Sequence, residues 1–218
     1  MLKEHFERLL RSADILNLKV EFTLEDLEEV IHRFCLRLEG ECYFKVYVSS
    51  DVYVEAFQIP ESSGGGVLIG FSKFRKAPSD VIPAQLKVVS RSDVLLARRF
   101  KGRFYDAVML SSRGCVAEGS FSNLFLVKDG KLVTPALECD VLDGITRRVV
   151  LDLARSEGFE VEERSVEVWE LFEASEVFLT HTSRGMVKVA KLESKEYKGS
   201  ELFEKLQKLF ESFARGSC

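Results

Sequence analysis

The chain has 218 residues, 46% hydrophobic and 30% charged, with 31 Lys and Arg against 35 Asp and Glu. That length suffices for one large lobe or two smaller ones. A formal net charge of −4 argues against nucleic acid or an anionic membrane as partner. No apolar run approaches the roughly 20 residues of a membrane helix, and the start, Met1–His5, is unlike a secretion signal. Five cysteines (Cys35, Cys42, Cys115, Cys139 and Cys218), odd in number and without C-x-x-C spacing, argue against a disulfide scaffold or a zinc site. A soluble cytoplasmic protein is expected.

In chain order, 3/4-spaced apolar residues (Leu2, Phe6, Leu9, Ala13, Leu16) predict a helix over 2–18. Thr23-Leu24-Glu25-Asp26 has the form of a capping box opening a second amphipathic helix, stopped by Gly40. Runs rich in β-branched and aromatic residues, 43–48 and 52–57, predict two strands. Pro60–Gly66, a Ser/Gly-rich stretch, is the expected linker between two lobes, 1–61 and 62–218. Beyond it, strands are predicted at 67–71, 107–110, 124–127, 131–134 and 177–180, with an Asp129-Gly130 hairpin turn. Helices are predicted at 94–100, 144–156 and 202–213. Mixed strands and helices of this kind define an α/β or α+β protein.

Three segments carry candidate chemistry. In Leu142-Asp143-Gly144-Ile145-Thr146-Arg147 a glycine and a hydroxyl residue open a helix, whose free N–H groups and dipole suit an anion. On these residues alone, Asp143 capping an ordinary helix is the favoured reading and a phosphate site the second. Glu118 and Asn123 stand just before the apolar strand 124–127, where a carboxylate and an amide need partners, either a cofactor or simply a solvated turn. The strand 177–180 ends in the polar loop His181–Gly185, a frequent ligand position; His181 by itself reads as structural. G-x-S-x-G, G-x-G-x-x-G, Walker and H-E-x-x-H motifs are missing, and three histidines give no metal cluster, so no metal is expected.

Together the segments resemble the fold type IV (class IV) pyridoxal-phosphate enzymes. The likeness rests on Glu118-Gly119-x-x-Ser122-Asn123-Leu124-Phe125, Thr134-Pro135, Leu142-x-Gly144-Ile145-Thr146-Arg147 and Glu176-Val177-Phe178-Leu179-Thr180-x-Thr182. It extends upstream through Ile82-Pro83 with Lys87, Arg75-x-Ala77-Pro78 and His5-x-x-Arg8-Leu9. The family includes branched-chain aminotransferases, D-amino-acid aminotransferases and 4-amino-4-deoxychorismate lyases. The resemblance implies a two-lobed α+β fold like that of D-amino-acid aminotransferases, with a shortened small lobe lacking the family's first strands, and a homodimer. It implies Lys87 as the Schiff-base lysine and Glu118 as the carboxylate facing the cofactor's pyridine nitrogen. Arg8, the backbone N–H groups of Ile145 and Thr146, and the hydroxyls of Thr146 and Thr182 match the phosphate-binding set, Leu142 and Gly144 belong with the cofactor-binding residues, Asn123 positions the cofactor-side loop, and Ser183 and Arg184 lie where the family binds substrate carboxylate.

The loop Thr182-Ser183-Arg184-Gly185 is similar to that of many of the lyases. The expected reaction is therefore elimination of pyruvate from 4-amino-4-deoxychorismate to give 4-aminobenzoate for folate synthesis. The alternative is amino transfer from a branched-chain amino acid to 2-oxoglutarate, and a further one is a truncated homologue that binds the cofactor without turnover.

Overall fold

A computed structural model describes residues 1–59, 65–199 and 201–216. The chain divides into two compact units, Met1–Ser62 and Ser63–Cys218. The expected lobe boundary between 61 and 62, and most of the Pro60–Gly66 linker, lie outside the described residues.

The first unit has helices α1 (Leu2–Ile15) and α2 (Leu24–Cys35), then an antiparallel hairpin of β1 (Cys42–Val48) and β2 (Val52–Gln58). The predicted capping box forms: Asp26 N donates to Thr23 Oγ1 (3.2 Å) and Thr23 N to Asp26 Oδ2 (2.8 Å). Helix α1 stops at Ile15 rather than 18 because Asn17 takes a left-handed conformation (φ 52°) and Leu18 N returns to Ala13 O, closing the last turn. Tyr43 and Phe57, paired across the hairpin, stack at 5.2 Å.

The second unit is built on one mixed sheet. Its strands are β3 (Val67–Phe71), β4 (Ala107–Leu110), β5 (Val116–Gly119), β6 (Asn123–Lys128), β7 (Lys131–Pro135), β8 (Val161–Arg164), β9 (Glu176–His181) and β10 (Gly185–Leu192). Their order is β5-β4-β3-β10-β9-β6-β7-β8, with a short β11 (Lys195–Glu196) on β10. β3 runs parallel to β4 and β10, and β7 to β8; the other pairs are antiparallel. Leu124 to Val127 and Val177 to Leu179 are buried throughout, which is why their sequences are continuous apolar runs with no alternation. Phe125 and Phe178, opposite each other on β6 and β9, stack at 5.0 Å, and Phe203 closes on Phe178 at 5.4 Å. Helices α3 (Ser92–Arg99), α4 (Ile145–Ser156), α5 (Val168–Glu173) and α6 (Glu201–Gly216) complete the unit, α4 and α6 packing on each other. This is the α+β architecture expected.

Among the described residues six elements were not predicted: β5, β8, β10, β11, α5 and a single turn of 3-10 helix, Leu137–Cys139. β5 is only four residues with Glu118 inside it, and β10 carries Lys188 and Lys191, so neither has an apolar run to show itself. The polar loop after β9 is correspondingly short: Gly185 already opens β10. Among the described residues no helix is long and apolar enough to cross a membrane, and no group of three or more His, Cys, Asp or Glu could hold a metal ion.

Candidate active site

The site grows from the turn between β5 and β6. Asp106, just before β4, is buried (1% exposed) and accepts Ser120 N (2.8 Å), Ser120 Oγ (2.6 Å), Ser122 Oγ (2.6 Å) and Ala107 N (2.7 Å). Burial pushes its carboxyl pKa up, and these donors oppose the shift without cancelling it. The turn is thereby locked, and only glycine fits at 119: a Cβ there would collide with Asp106 Oδ2 and Ser122 Oγ.

At either end of this turn stand Glu118 and Asn123, both buried. Glu118 Oε2 accepts Asn123 Nδ2 (3.0 Å) and Leu142 N (3.1 Å), while Oε1 pairs with the ammonium of Lys76. The ion pair is itself inside the protein, with side-chain exposures of 2% for Lys76 and 8% for Glu118. Asn123 Nδ2 also donates to Leu142 O (2.9 Å), so one amide ties β6 to the loop before α4. The reading of Glu118 as a solvated turn residue therefore does not hold; burial demanded partners, and three supply them.

The loop leading to α4 corrects a second expectation. Asp143 does not cap the helix. The N-cap is Gly144, without a side-chain hydrogen bond, and the Asp143 carboxylate turns to Arg148 instead (Nε to Oδ1, 2.7 Å). Among the described residues the start of α4 has no side-chain cap, and Thr146 in that first turn is buried. Gly144 lies so close to Asn123 that a Cβ would strike Asn123 Oδ1. Thr180, paired with Asn123 across β6 and β9, has a buried Oγ1 without a hydrogen-bond partner among the described residues.

Lys87 lies on the segment between β3 and α3 and is exposed, whereas Leu86 and Ala84 beside it are buried. It lines one pocket with Lys76, Glu118, Phe121, Asn123 and Leu142. Gln85 holds this segment against the α4 loop, donating to Val141 O (3.2 Å) and accepting from Asp143 N (3.1 Å). Lys87, Glu118, Asn123 and Leu142 are thus brought together, with Gly144 against Asn123.

Thr182, Ser183, Arg184 and Arg8 do not line this pocket, although the end of β9 reaches it through the His181 and Tyr105 rings, each 5.5 Å from that of Phe121. Thr182, Ser183 and Arg184 form the β9–β10 turn, with Thr182 exposed. Ser183 Oγ meets His181 Nδ1 (3.0 Å), whose Nε2 meets the Tyr105 hydroxyl (2.8 Å), and Arg184 lies over the Tyr105 ring. Burial, helped by the charge of Arg184, pushes the His181 pKa down to about 4, so it is neutral at pH 7. Arg8 belongs to the first unit, where its guanidinium is 3.3 Å from His5 Nδ1.

Sequence reasoning missed Lys76, Asp106 and Gln85. Lys76 occupies the variable position of Arg75-x-Ala77-Pro78, so the motif itself drew attention away from it. Asp106 offered the one usable signal, a carboxylate immediately preceding an apolar strand.

These residues suit a cofactor with an anionic group and a ring nitrogen: uncapped helix amides with a buried threonine on one side, and an oriented carboxylate on the other. Comparison with known proteins agrees. The model of the family "Amino-transferase class IV" matches residues 1–192. The chain belongs to that family. It is 44% identical over 194 residues to a protein of Thermotoga maritima assigned as a branched-chain-amino-acid aminotransferase, covering 87% of this chain and 71% of that protein. A crystal structure so assigned from T. maritima superposes with a TM-score of 0.92 at 41% identity, over 97% of this chain and 80% of that one. The Escherichia coli branched-chain amino acid aminotransferase gives 0.87 at 26% identity, over 97% and 78%. A branched-chain amino acid aminotransferase of T.th., solved with pyridoxamine 5'-phosphate, gives 0.86 at 27%, over 96% and 77%.

Fold type IV architecture, an enzyme, and pyridoxal phosphate as the family's cofactor are therefore as expected. The lyase is not. These relatives are aminotransferases along most of their length, which outweighs a four-residue loop likeness at 182–185. The expected 4-aminobenzoate and folate connection falls with it.

Proposed function

We propose that this chain transfers the amino group of branched-chain L-amino acids to 2-oxoglutarate, using pyridoxal phosphate. The observation that carries the reading is Glu118, a buried carboxylate held by three partners in a pocket that Lys87 also lines.

When bound, pyridoxal phosphate supplies an electron sink for the pair left when the substrate loses its α-proton. Glu118, its carboxylate oriented by Asn123 Nδ2 and Leu142 N, would hold a proton on the cofactor's ring nitrogen. Lys87 Nζ would hold the cofactor and, as a base, would carry the α-proton between substrate and product. The amides of Ile145 and Thr146 at the start of α4, with the Thr146 hydroxyl, would hold the phosphate. Lys76 fixes the charge of the Glu118 wall; its ammonium, committed to an ion pair, is a poor nucleophile. Ala84, Leu86, Val88, Val94 and Phe121 give the pocket an apolar lining suited to a branched aliphatic side chain. Ser183 and Arg184 bind the substrate carboxylate. The enzyme acts as a cytoplasmic homodimer.

Glutamate formation from 2-oxoglutarate with L-leucine, L-isoleucine, L-valine, L-alanine and D-alanine tests this. The three branched substrates should give the highest kcat/KM. A preference for D-alanine, or no amino transfer by the cofactor-loaded protein, would overturn the reading.

A further inference from the structure

Behind the Glu118 strand lies a second cavity, about 560 Å³, lined by Arg113, Cys115, Glu138, Cys139, Arg164 and Ser165 among others. Nothing in the amino-transfer chemistry uses it. Cys115 opens into it from the turn between β4 and β5, and Cys139 from the single turn of 3-10 helix (Leu137–Cys139) that follows β7. The two residues are 24 apart in sequence, yet their Sγ atoms are 3.1 Å apart, and both thiols are free. Ser111 Oγ stands 3.0 Å from the Cys115 sulfur.

From this geometry we propose that Cys115 and Cys139 form a reactive dithiol, a site at which hydroperoxides are reduced and an intramolecular disulfide is formed. The cavity admits an oxidant as small as hydrogen peroxide to two sulfurs already in contact, and a second thiol in place resolves the first oxidation product before it advances further.

The surroundings distinguish the two roles. Burial works to raise the Cys115 thiol, but hydrogen bonds with Ser111, Cys139 and Ser165 outweigh it and lower its pKa. Burial, with the Cys115 sulfur alongside, pushes Cys139 up to about 11. Ser111 Oγ, placed to donate to the Cys115 sulfur, is the geometric difference between the two sites, and it assigns Cys115 as the attacking thiolate and Cys139 as the resolving thiol.

The Cys115 thiolate attacks one peroxide oxygen; the O–O bond breaks, hydroxide leaves and is protonated to water, and Cys115 becomes a sulfenic acid. The Cys139 sulfur then attacks the Cys115 sulfur; the S–S bond forms, the S–O bond breaks, and the hydroxyl departs with the Cys139 proton as a second water. Two thiols lose two electrons and one peroxide gains two.

The bond would bracket the cofactor pocket. Glu118 follows Cys115 on β5, and Leu142, whose N donates to Glu118, follows Cys139 in the α4 loop. Asp140, next to Cys139, already ties that loop to Ser79 Oγ (2.7 Å) and Ser112 Oγ (2.8 Å).

The test treats the reduced, full-length protein with one equivalent of hydrogen peroxide, then denatures it, alkylates it and maps the peptides without reductant. The expected result is a 115–139 cross-linked peptide, abolished by dithiothreitol, with the exposed Cys35 still alkylated. In Cys139→Ser the cross-link should vanish and dimedone should label Cys115; in Cys115→Ser, Cys139 should remain alkylatable. Full alkylation of both residues in oxidised wild-type protein, or disulfides joining either one to Cys35, Cys42 or Cys218 instead, would overturn the proposal. The wild-type map decides this even if a variant folds poorly.

Discussion

Around Glu118 both carboxylate oxygens have protein partners, whereas on the other side of Asn123, among the described residues, the α4 start has no side-chain cap and Thr180 Oγ1 is buried without a partner. Glu118, Asn123, Thr146 and Thr180 are all buried, so the contrast does not come from exposure. On the proposed function the contrast has a reason: the carboxylate that would keep one orientation is bonded within the protein, and the helix start that would receive a phosphate is left uncommitted.

Variants can break this contrast. The largest effect is expected from Lys87→Ala, which should lower amino transfer by about 10³-fold or more. Because Lys87 is exposed, its removal should change the urea-unfolding free energy by no more than about 0.5 kcal/mol. Glu118→Gln should cost activity and also roughly 3–5 kcal/mol of stability, since it strands the Lys76 ammonium in the interior. Adding Lys76→Met should return most of that stability without the activity, a separation visible by running denaturation and assay on the same samples.

On the uncommitted side the expected effects are smaller and fall on binding. Gly144→Ala forces a Cβ against Asn123 Oδ1 and should cost about 1–3 kcal/mol while weakening pyridoxal phosphate binding. Thr146→Ala should reduce cofactor affinity by about fivefold, roughly 1 kcal/mol, with the fold intact. Fluorescence titration with pyridoxal phosphate reads both. The smallest effect concerns His181. Its folded pKa of about 4 is below the ordinary 6.5, so as pH falls the unfolded chain takes up this proton first. Stability contributed by the neutral ring is present above about pH 6.5 and lost as pH drops towards 4. His181→Gln should flatten the melting temperature across that window; an unchanged slope would show that other groups set it.

Much of this was legible beforehand, for physical reasons that differ by element. The strands at 124–127 and 177–180 and the Asp129-Gly130 turn are visible because buried strands inside the sheet are unbroken apolar runs and the turn needs positive φ at both residues, 51° and 78° here. β10 is invisible locally because it alternates with lysines, and its place in the sheet comes from pairing with β9 and β3. In the site, Glu118, Asn123 and Gly144 showed themselves as polar or glycine residues abutting apolar segments. Lys76 did not, because nothing local tells a surface lysine from one buried against a carboxylate 42 residues on. Asp143 misled for a similar reason: a residue in capping position has a second option when an arginine stands five residues later. The lyase expectation failed because four loop residues weigh little against a whole chain.

Everything assigned to the site turns on Lys87, rather than the buried Lys76, linking the cofactor in the pocket walled by Glu118. Borohydride reduction of the protein loaded with pyridoxal phosphate, followed by peptide mass mapping, distinguishes the two lysines. A single phosphopyridoxyl label on Lys87 is expected. A label on Lys76, or one scattered over surface lysines, would contradict the assignment.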